Sequence, residues 1–228
     1  MSQPLERELK LVPSDAGLLD QLAHVDHLGP FVAARHWRER QCNSFFDTPR
    51  RALASARVGF RRRQVEGERL AIWTLKGDTA AVRGIATREE IELSLRPDLA
   101  PGVALGTLAE AARSRGASAL ARAVGDALGS DEEPTPPPLL ETETDRTLVD
   151  LEAVDLGWRV ELALDRVRLI GHVYTEVEIE AELKRGEPDA LQEVRRAIAE
   201  LGAVRESNGS KLSRALEHLR TCDCAASG

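Results

Sequence analysis

An α+β fold built on a closed antiparallel β-barrel, charged inside and covered by helices outside, is what this sequence predicts. Three observations carry that expectation. At least five segments alternate with period two and gather charge on one face. The opposite faces are largely apolar, as a covered surface requires. The rows also differ in sign, acidic late in the chain and basic near residue 61, so an interior lined by both signs accounts for all of them together.

The bounds are set by length and charge. A chain of 228 residues suits one large domain or two small ones, and 42% apolar residues is ordinary for a globular protein. Aromatics are 4%, so the core is built from Leu, Val, Ile and Ala. A net charge of −7 excludes a general nucleic-acid binder, which would be basic. No apolar stretch approaches the roughly 20 residues of a membrane helix, and charge begins at Glu6, unlike a signal peptide. Cys42, Cys222 and Cys224 form no disulfide framework and read as reduced thiols of a cytoplasmic protein.

In order, Leu5 to Leu11 is a strand with Glu6, Glu8 and Lys10 on one face and Leu5, Leu9 and Leu11 on the other, where Arg7 is the polar exception. Pro13-Ser14-Asp15 starts a helix carrying Leu18, Leu19, Leu22 and Val25, which Gly29-Pro30 ends. Ser44 to Pro49 is a short strand running into a turn, and Leu53 to Ala56 is one helical turn. Arg57 to Val65 places Arg57, Gly59, Arg61 and Arg63 on one face and Arg62 on the other, and Leu70 to Lys76 is its partner. Arg88 to Leu95 aligns Arg88, Glu90 and Glu92. Leu105 to Leu128, broken at Gly116, reads as two helices.

An acidic, Pro-rich connector near 129–138 joins two halves of one barrel, because neither half has enough strands to close alone. Residues 1–220 are therefore one domain, followed by a flexible tail over 221–228. In the second half, Leu139 to Val149 and Leu151 to Val154 are candidate strands. Trp158 to Arg168 aligns Arg159, Glu161 and Asp165, and Tyr174 to Arg185 aligns Glu176, Glu178, Glu180, Glu182 and Lys184. Pro188 to Leu201 and Ser210 to Leu219 are amphipathic helices, the second capped by Ser207-Asn208-Gly209.

Four glutamates on one strand face repel one another. Such a face is tolerable when solvated, when paired with basic strands, or when it holds divalent cations. An acidic wall facing a basic wall suits a polyanion bridged by Mg²⁺ or Mn²⁺, with carboxylates on the hard cation and Arg and Lys on phosphate oxygens.

An ordered set of motifs then resembles the CYTH superfamily, the triphosphate tunnel metalloenzymes. It comprises Glu6-Arg7-Glu8-Leu9-Lys10, Phe46-Asp47-Thr48-Pro49, Phe60-Arg61-Arg62-Arg63 and Trp73-Thr74-Leu75-Lys76. Arg88-Glu89-Glu90-Ile91-Glu92, Glu161 to Asp165, Glu178 to Gly186 and Ser210-Lys211 complete it, covering roughly residues 3 to 219. The resemblance implies an eight-stranded antiparallel tunnel with helices outside. It implies triphosphate binding by Lys10, Arg61, Arg63, Lys76, Arg146 and Lys211, with Arg88, Glu90 and Glu92 lining the tunnel. Arg88 is counted among the substrate-binding residues. Glu6, Glu8, Asp165, Glu178 and Glu180 would hold Mg²⁺ or Mn²⁺, with Glu182 continuing that face, and Glu6, Glu8 and Glu178 would be catalytic.

Two features stand apart. Glu141, Glu143 and Asp145 lie opposite Arg146, so either that strand carries acids on an exposed outer face or its parity is reversed. Phe45 offers no hydroxyl where the resemblance often has tyrosine, and Tyr174 is the one phenol in the chain. The implied activity is metal-dependent hydrolysis of a triphosphate-bearing small molecule, inorganic triphosphate first. A class IV-type adenylyl cyclase, a thiamine triphosphatase and a non-catalytic polyphosphate- or nucleotide-binding module are the alternatives. The expected protein is a monomer or homodimer without nucleic-acid or membrane partners.

Overall fold

The computed structural model describes residues 5–82, 84–129, 133–207 and 209–226, with side chains to residue 221. Asp131 and Glu132 of the connector, the Asn208 cap, and the side chains of Cys222 and Cys224 lie outside the described residues. In chain order the elements are β1 (Leu5–Pro13), α1 (Gly17–Leu22), β2 (His27–Leu28), β3 (Phe31–Phe46), α2 (Ala52–Ser55), β4 (Gly59–Val65) and β5 (Ala71–Lys76). There follow β6 (Ala80–Val82), β7 (Ile85–Leu95), α3 (Pro101–Arg115), α4 (Ser118–Ala127), β8 (Leu140–Ala153) and β9 (Trp158–Leu169). The chain ends with β10 (Thr175–Arg185), α5 (Asp189–Leu201), β11 (Val204–Glu206) and α6 (Lys211–Ala226).

Eight strands close on themselves in the order β1-β10-β9-β8-β3-β4-β5-β7, and β7 pairs back onto β1. Every pairing is antiparallel. The eight-stranded tunnel implied by the sequence is the fold. Strands β2, β6 and β11 pair on the outside with β3, β7 and β1 respectively.

Because side chains alternate, each strand sends its apolar set outward and its charged set inward. Helices α1 and α5 cover the outer faces of β1, β9 and β10, burying Leu9, Leu162 and Ile179 against Leu22, Leu191 and Ile198. Helices α2, α3 and α4 cover β4, β5 and β7 through Phe60, Trp73, Leu75 and Ile91. Phe46, Phe60 and Trp73 cluster at centroid distances of 5.5–5.8 Å, Trp73 stacked on both phenylalanines, and the outward Arg62 lies 5.9 Å over two of those rings. Helix α6 packs Ala215 and Leu216 on Phe45, Leu140 and Leu169, covering one end of the barrel. Glu89, on the outer face of β7, accepts the Leu120 N–H at 2.7 Å and so caps the start of α4. No helix among the described residues is long and apolar enough to cross a membrane.

The structure corrects several expected elements. Strand β3 begins at Phe31 rather than near Ser44. Its first half has no apolar alternation because both faces there are largely exposed, so periodicity carries no signal. The two strands expected over 139–154 are one continuous β8. Arg57 precedes β4 in a left-handed conformation, φ 58°, and does not join the Arg61 and Arg63 face. Helix α1 stops at Leu22, leaving Val25 in the turn after it. Helix α6 continues to Ala226, into the stretch expected as a tail.

Candidate active site

The tunnel places Asp165 of β9 beside Glu178 of β10, with Glu180 two residues further along the same inner face. Asp165 and Glu178 are fully buried. One carboxylate oxygen from each of the three lies within 4.8 Å of the others, the convergence a hard cation needs. Basic groups crowd the same oxygens. Arg146 grips Asp165 with two hydrogen bonds of 2.6 Å and reaches Glu180 at 2.8 Å. Lys211 Nζ stands 3.0 Å from Asp165, 2.7 Å from Glu180 and in direct contact with Glu178.

Burial pushes Asp165 toward protonation, but Arg146 and Lys211 outweigh it and hold the carboxyl below its ordinary value. Glu180 is held far lower than an ordinary glutamate: burial is again outweighed, by Lys211, Lys10 and Arg146. Lys211 is raised in return, because three carboxylates outweigh the cost of burying its charge.

Glu6 and Glu8, assigned to the same metal set by resemblance, face inward on β1 but gather a different cluster. Arg88 donates to Glu6 at 2.7 Å and contacts Glu8 directly. Lys76 bridges Glu6 at 3.2 Å and Glu90 at 2.8 Å. Lys10 joins the two clusters, 3.1 Å from Glu8 and 3.3 Å from Glu180.

Burial pushes Glu90 up to about 8, assisted by its hydrogen bond to Glu6 and opposed by Lys76. Glu6, although buried, is held far below its usual range by Lys76, Glu90 and Arg88. A carboxyl raised from 4.5 to about 8 keeps a proton in the fold that the unfolded chain releases, so its contribution to stability declines as pH rises through that window. Glu90→Gln, whose amide can still donate to Glu6, is expected to flatten the decline in Tm between pH 4.5 and about 8. An unchanged slope would show that Glu90 holds no such proton.

The third group is basic. Arg61 and Arg63 of β4 face inward, and the Nε of each is buried without a hydrogen-bond partner. Arg61 reaches Thr74 at 3.5 Å and Glu92 at 3.6 Å. Burial and the neighbouring Arg63 lower it from 12.5 to about 10. Arg63 makes no ion pair within 4 Å with a described residue. Lys184 pairs with Glu182 at 2.7 Å and Glu161 at 3.2 Å, so Glu182 lies apart from the Asp165 group.

Parity in β8 is settled by the same geometry. Arg146 points inward, while Glu141, Glu143 and Asp145 face outward onto Ser44, Arg168 and Arg40. Two contributors escaped the sequence reading. Ser207 donates to Glu178 at 2.7 Å, and Arg214 holds Glu178 at 2.8 Å and Glu176 at 2.7 Å. Arg214 lies three residues beyond Lys211, hence on the same helix face, which was the available signal.

Fold and site together define a closed tunnel whose interior sets a convergent carboxylate group against under-paired arginines. The chain belongs to the CYTH family: the CYTH domain model matches residues 4–216. Among solved structures, it is similar to an adenylyl-cyclase candidate from Hippeastrum described as having a dominant triphosphatase activity. That likeness has 25% identity and a TM-score of 0.60, covering 91% of this chain and 93% of the other. A protein from Pyrococcus horikoshii matches with 19% identity and a TM-score of 0.55, covering 93% of this chain and 99% of the other. One from Vibrio parahaemolyticus matches with 14% identity and a TM-score of 0.50, covering 92% and 96%. These last two show the fold alone. No curated protein matches the chain. The family and the Hippeastrum likeness support a triphosphate-related activity, in a family that is metal-dependent.

Proposed function

We propose that this protein is a cytoplasmic enzyme that hydrolyses inorganic triphosphate to diphosphate and phosphate. The observation that carries the reading is the pair Arg61 and Arg63, half-buried arginines whose Nε atoms are buried without partners inside a tunnel that also holds carboxylates. Buried donors left unpaired are costly, and an anion with many acceptor oxygens satisfies them.

In this reading Lys10, Arg61, Arg63, Lys76, Arg146 and Lys211 take phosphate oxygens, and Arg88 fixes Glu6 and Glu8. Asp165, Glu178 and Glu180 fit a hard divalent cation, Mg²⁺ or Mn²⁺, because their oxygens converge within 4.8 Å. Glu6 and Glu8 complete the carboxylate wall beside it. Such a cation, when bound, neutralises phosphate charge and polarises the phosphoryl group. The basic residues align the chain so that the terminal phosphorus faces the carboxylates. Water attacks that phosphorus, its proton passes to a carboxylate of Glu178, Glu6 or Glu8, and the bridging P–O bond breaks. Lys and Arg side chains stabilise the charge that gathers on the departing diphosphate.

The test is release of phosphate from inorganic triphosphate, ATP and thiamine triphosphate, with Mg²⁺, with Mn²⁺ and with EDTA, beside Glu8→Gln. The expected result is metal-dependent turnover of inorganic triphosphate above the other two, reduced at least about 100-fold in Glu8→Gln, the usual scale of a lost proton-transfer group. Formation of cyclic AMP and diphosphate from ATP would replace this reading with a cyclase. Tight binding of triphosphate without hydrolysis would replace it with a binding module.

A further inference from the structure

Arg51 and Arg57 flank the short helix α2 with φ of 60° and 58°, the two non-glycine residues with positive φ among those described. Arg57 ends the helix: its N–H reaches the Ala54 carbonyl at 3.0 Å, and the Val58 N–H reaches the Leu53 carbonyl at 2.8 Å. The left-handed residue of that arrangement is ordinarily glycine or asparagine. The turn is held from beneath by Asp47, whose carboxylate accepts the N–H groups of Thr48, Leu53 and Ala54 at 2.7, 2.9 and 3.0 Å. Two strained positions that favour glycine therefore both carry a long cation. Packing does not account for them, since Arg51 has no side-chain partner among the described residues and Arg57 reaches only exposed Asp78, at 3.1 Å.

Both arginines line the same cavity as Arg61 and Arg63, and so does Arg115 at the end of α3. Arg115 likewise has no side-chain partner among the described residues. A cation in the last turn also favours the helix dipole, but Arg113 in that turn meets the same need. Three arginines thus stand against two aspartates at this end of the tunnel, Asp78 and Asp47, and the Asp47 carboxylate is already engaged by three backbone N–H groups. The cavity measures about 1040 Å³, at the top of the range for small-molecule sites and more than a triphosphate fills. Between Arg61 and Arg57 the wall is bare at Gly59, where a Cβ would meet only Lys76, at an ordinary 3.8 Å. Crowding does not demand glycine there.

We propose that Arg51, Arg57 and Arg115 form an outer phosphate collar, and that linear polyphosphates longer than triphosphate are substrates whose extra phosphates it holds. This rests on the triphosphate reading above and extends it along the chain of the substrate. The reaction needs no further reactant: water bonds to the terminal phosphorus, the bridging P–O bond breaks, and phosphate leaves a chain one unit shorter. Backbone strain at Arg51 and Arg57 is retained because the guanidiniums bind there.

The test uses the variant Arg51→Asn, Arg57→Asn, Arg115→Ser, since asparagine suits the left-handed positions and should fold at least as well. Binding of sodium triphosphate and of a narrow-length polyphosphate fraction is measured by calorimetry in EDTA, so that hydrolysis is not the readout. Triphosphate affinity should stay within about twofold, while the long chain should bind about tenfold more weakly, as expected for three solvent-facing charge contacts. Comparing proteins at one chain length cancels the number of registers a long chain offers. The Tm should rise or hold. Equal weakening of both ligands, no weakening of either, or a fall in Tm would overturn the collar. If the unaltered protein binds neither ligand, the triphosphate reading falls and the collar falls with it. If it binds and hydrolyses triphosphate but the arginines add nothing to long chains, the collar alone falls.

Discussion

Asp165→Asn is expected to cost about 3–5 kcal/mol of stability, the scale for breaking a buried ion pair, and to abolish binding of Mg²⁺ or Mn²⁺. Asp165 is fully buried and meets the two donors of Arg146 with two oxygens. Asparagine has the same shape but offers one oxygen, and its NH₂ would point at a guanidinium N–H. Lys211, 3.0 Å away, would lose one of its three carboxylates. Glu178 and Glu180 remain and limit the damage, so the protein should fold with a Tm lower by roughly 10 °C. The Tm increase on adding Mn²⁺ measures the second half of the prediction, because ligand binding to the fold alone raises stability. A variant with unaltered Tm would show that the Arg146 pair contributes nothing. A preserved Mn²⁺ response would remove Asp165 from the metal group.

The grouping of Asp165 with Glu178 and Glu180 was implied by the resemblance, but the separation of Glu6 and Glu8 from them and the entry of Ser207 and Arg214 were not, and the difference is physical. Alternation tells which residues of β1, β4, β7, β9 and β10 face inward, since a covered outer face forces an apolar period of two. It does not tell which inward residues meet, because that depends on stagger between strands. The register pairs Glu178 with Asp165 and Lys10 with Glu180, which assembles one pocket, while Glu6 sits opposite Arg88 and joins another. Arg214 and Ser207 enter from α6 and the segment before it, where no strand pattern applies. Strand β3 was invisible along its first half for the reverse reason. With neither face covered, Ala34, Arg35, His36 and Arg38 have no apolar partner to alternate with.

Arg61→Met is expected to raise stability in the absence of ligand and to remove triphosphate binding. Burial, and then Arg63, lower the Arg61 value from 12.5 to about 10. A base whose folded value is depressed carries its full penalty below that value and loses the penalty as pH rises toward 12.5. At neutral pH the gap corresponds to about 3 kcal/mol. Part of this returns when the residue is removed. Burial alone would raise Glu92, yet Arg63 and Arg61 hold it at about 2, and it would keep only the first of those cations. The Thr74 and Glu92 contacts at 3.5 and 3.6 Å are long and return little. Methionine fills the stem volume without a charge, so a net gain of about 1–2 kcal/mol is expected, or a Tm higher by roughly 2–8 °C. The same substitution should abolish the Tm increase that triphosphate gives the unaltered protein, since it removes one of the two arginines whose buried Nε groups lack a partner. A stability gain with loss of ligand response is the signature of a side chain kept for binding at the expense of the fold. A lower Tm in Arg61→Met would instead make Arg61 a structural ion-pair partner of Glu92. An undiminished triphosphate response would place the anion elsewhere in the tunnel.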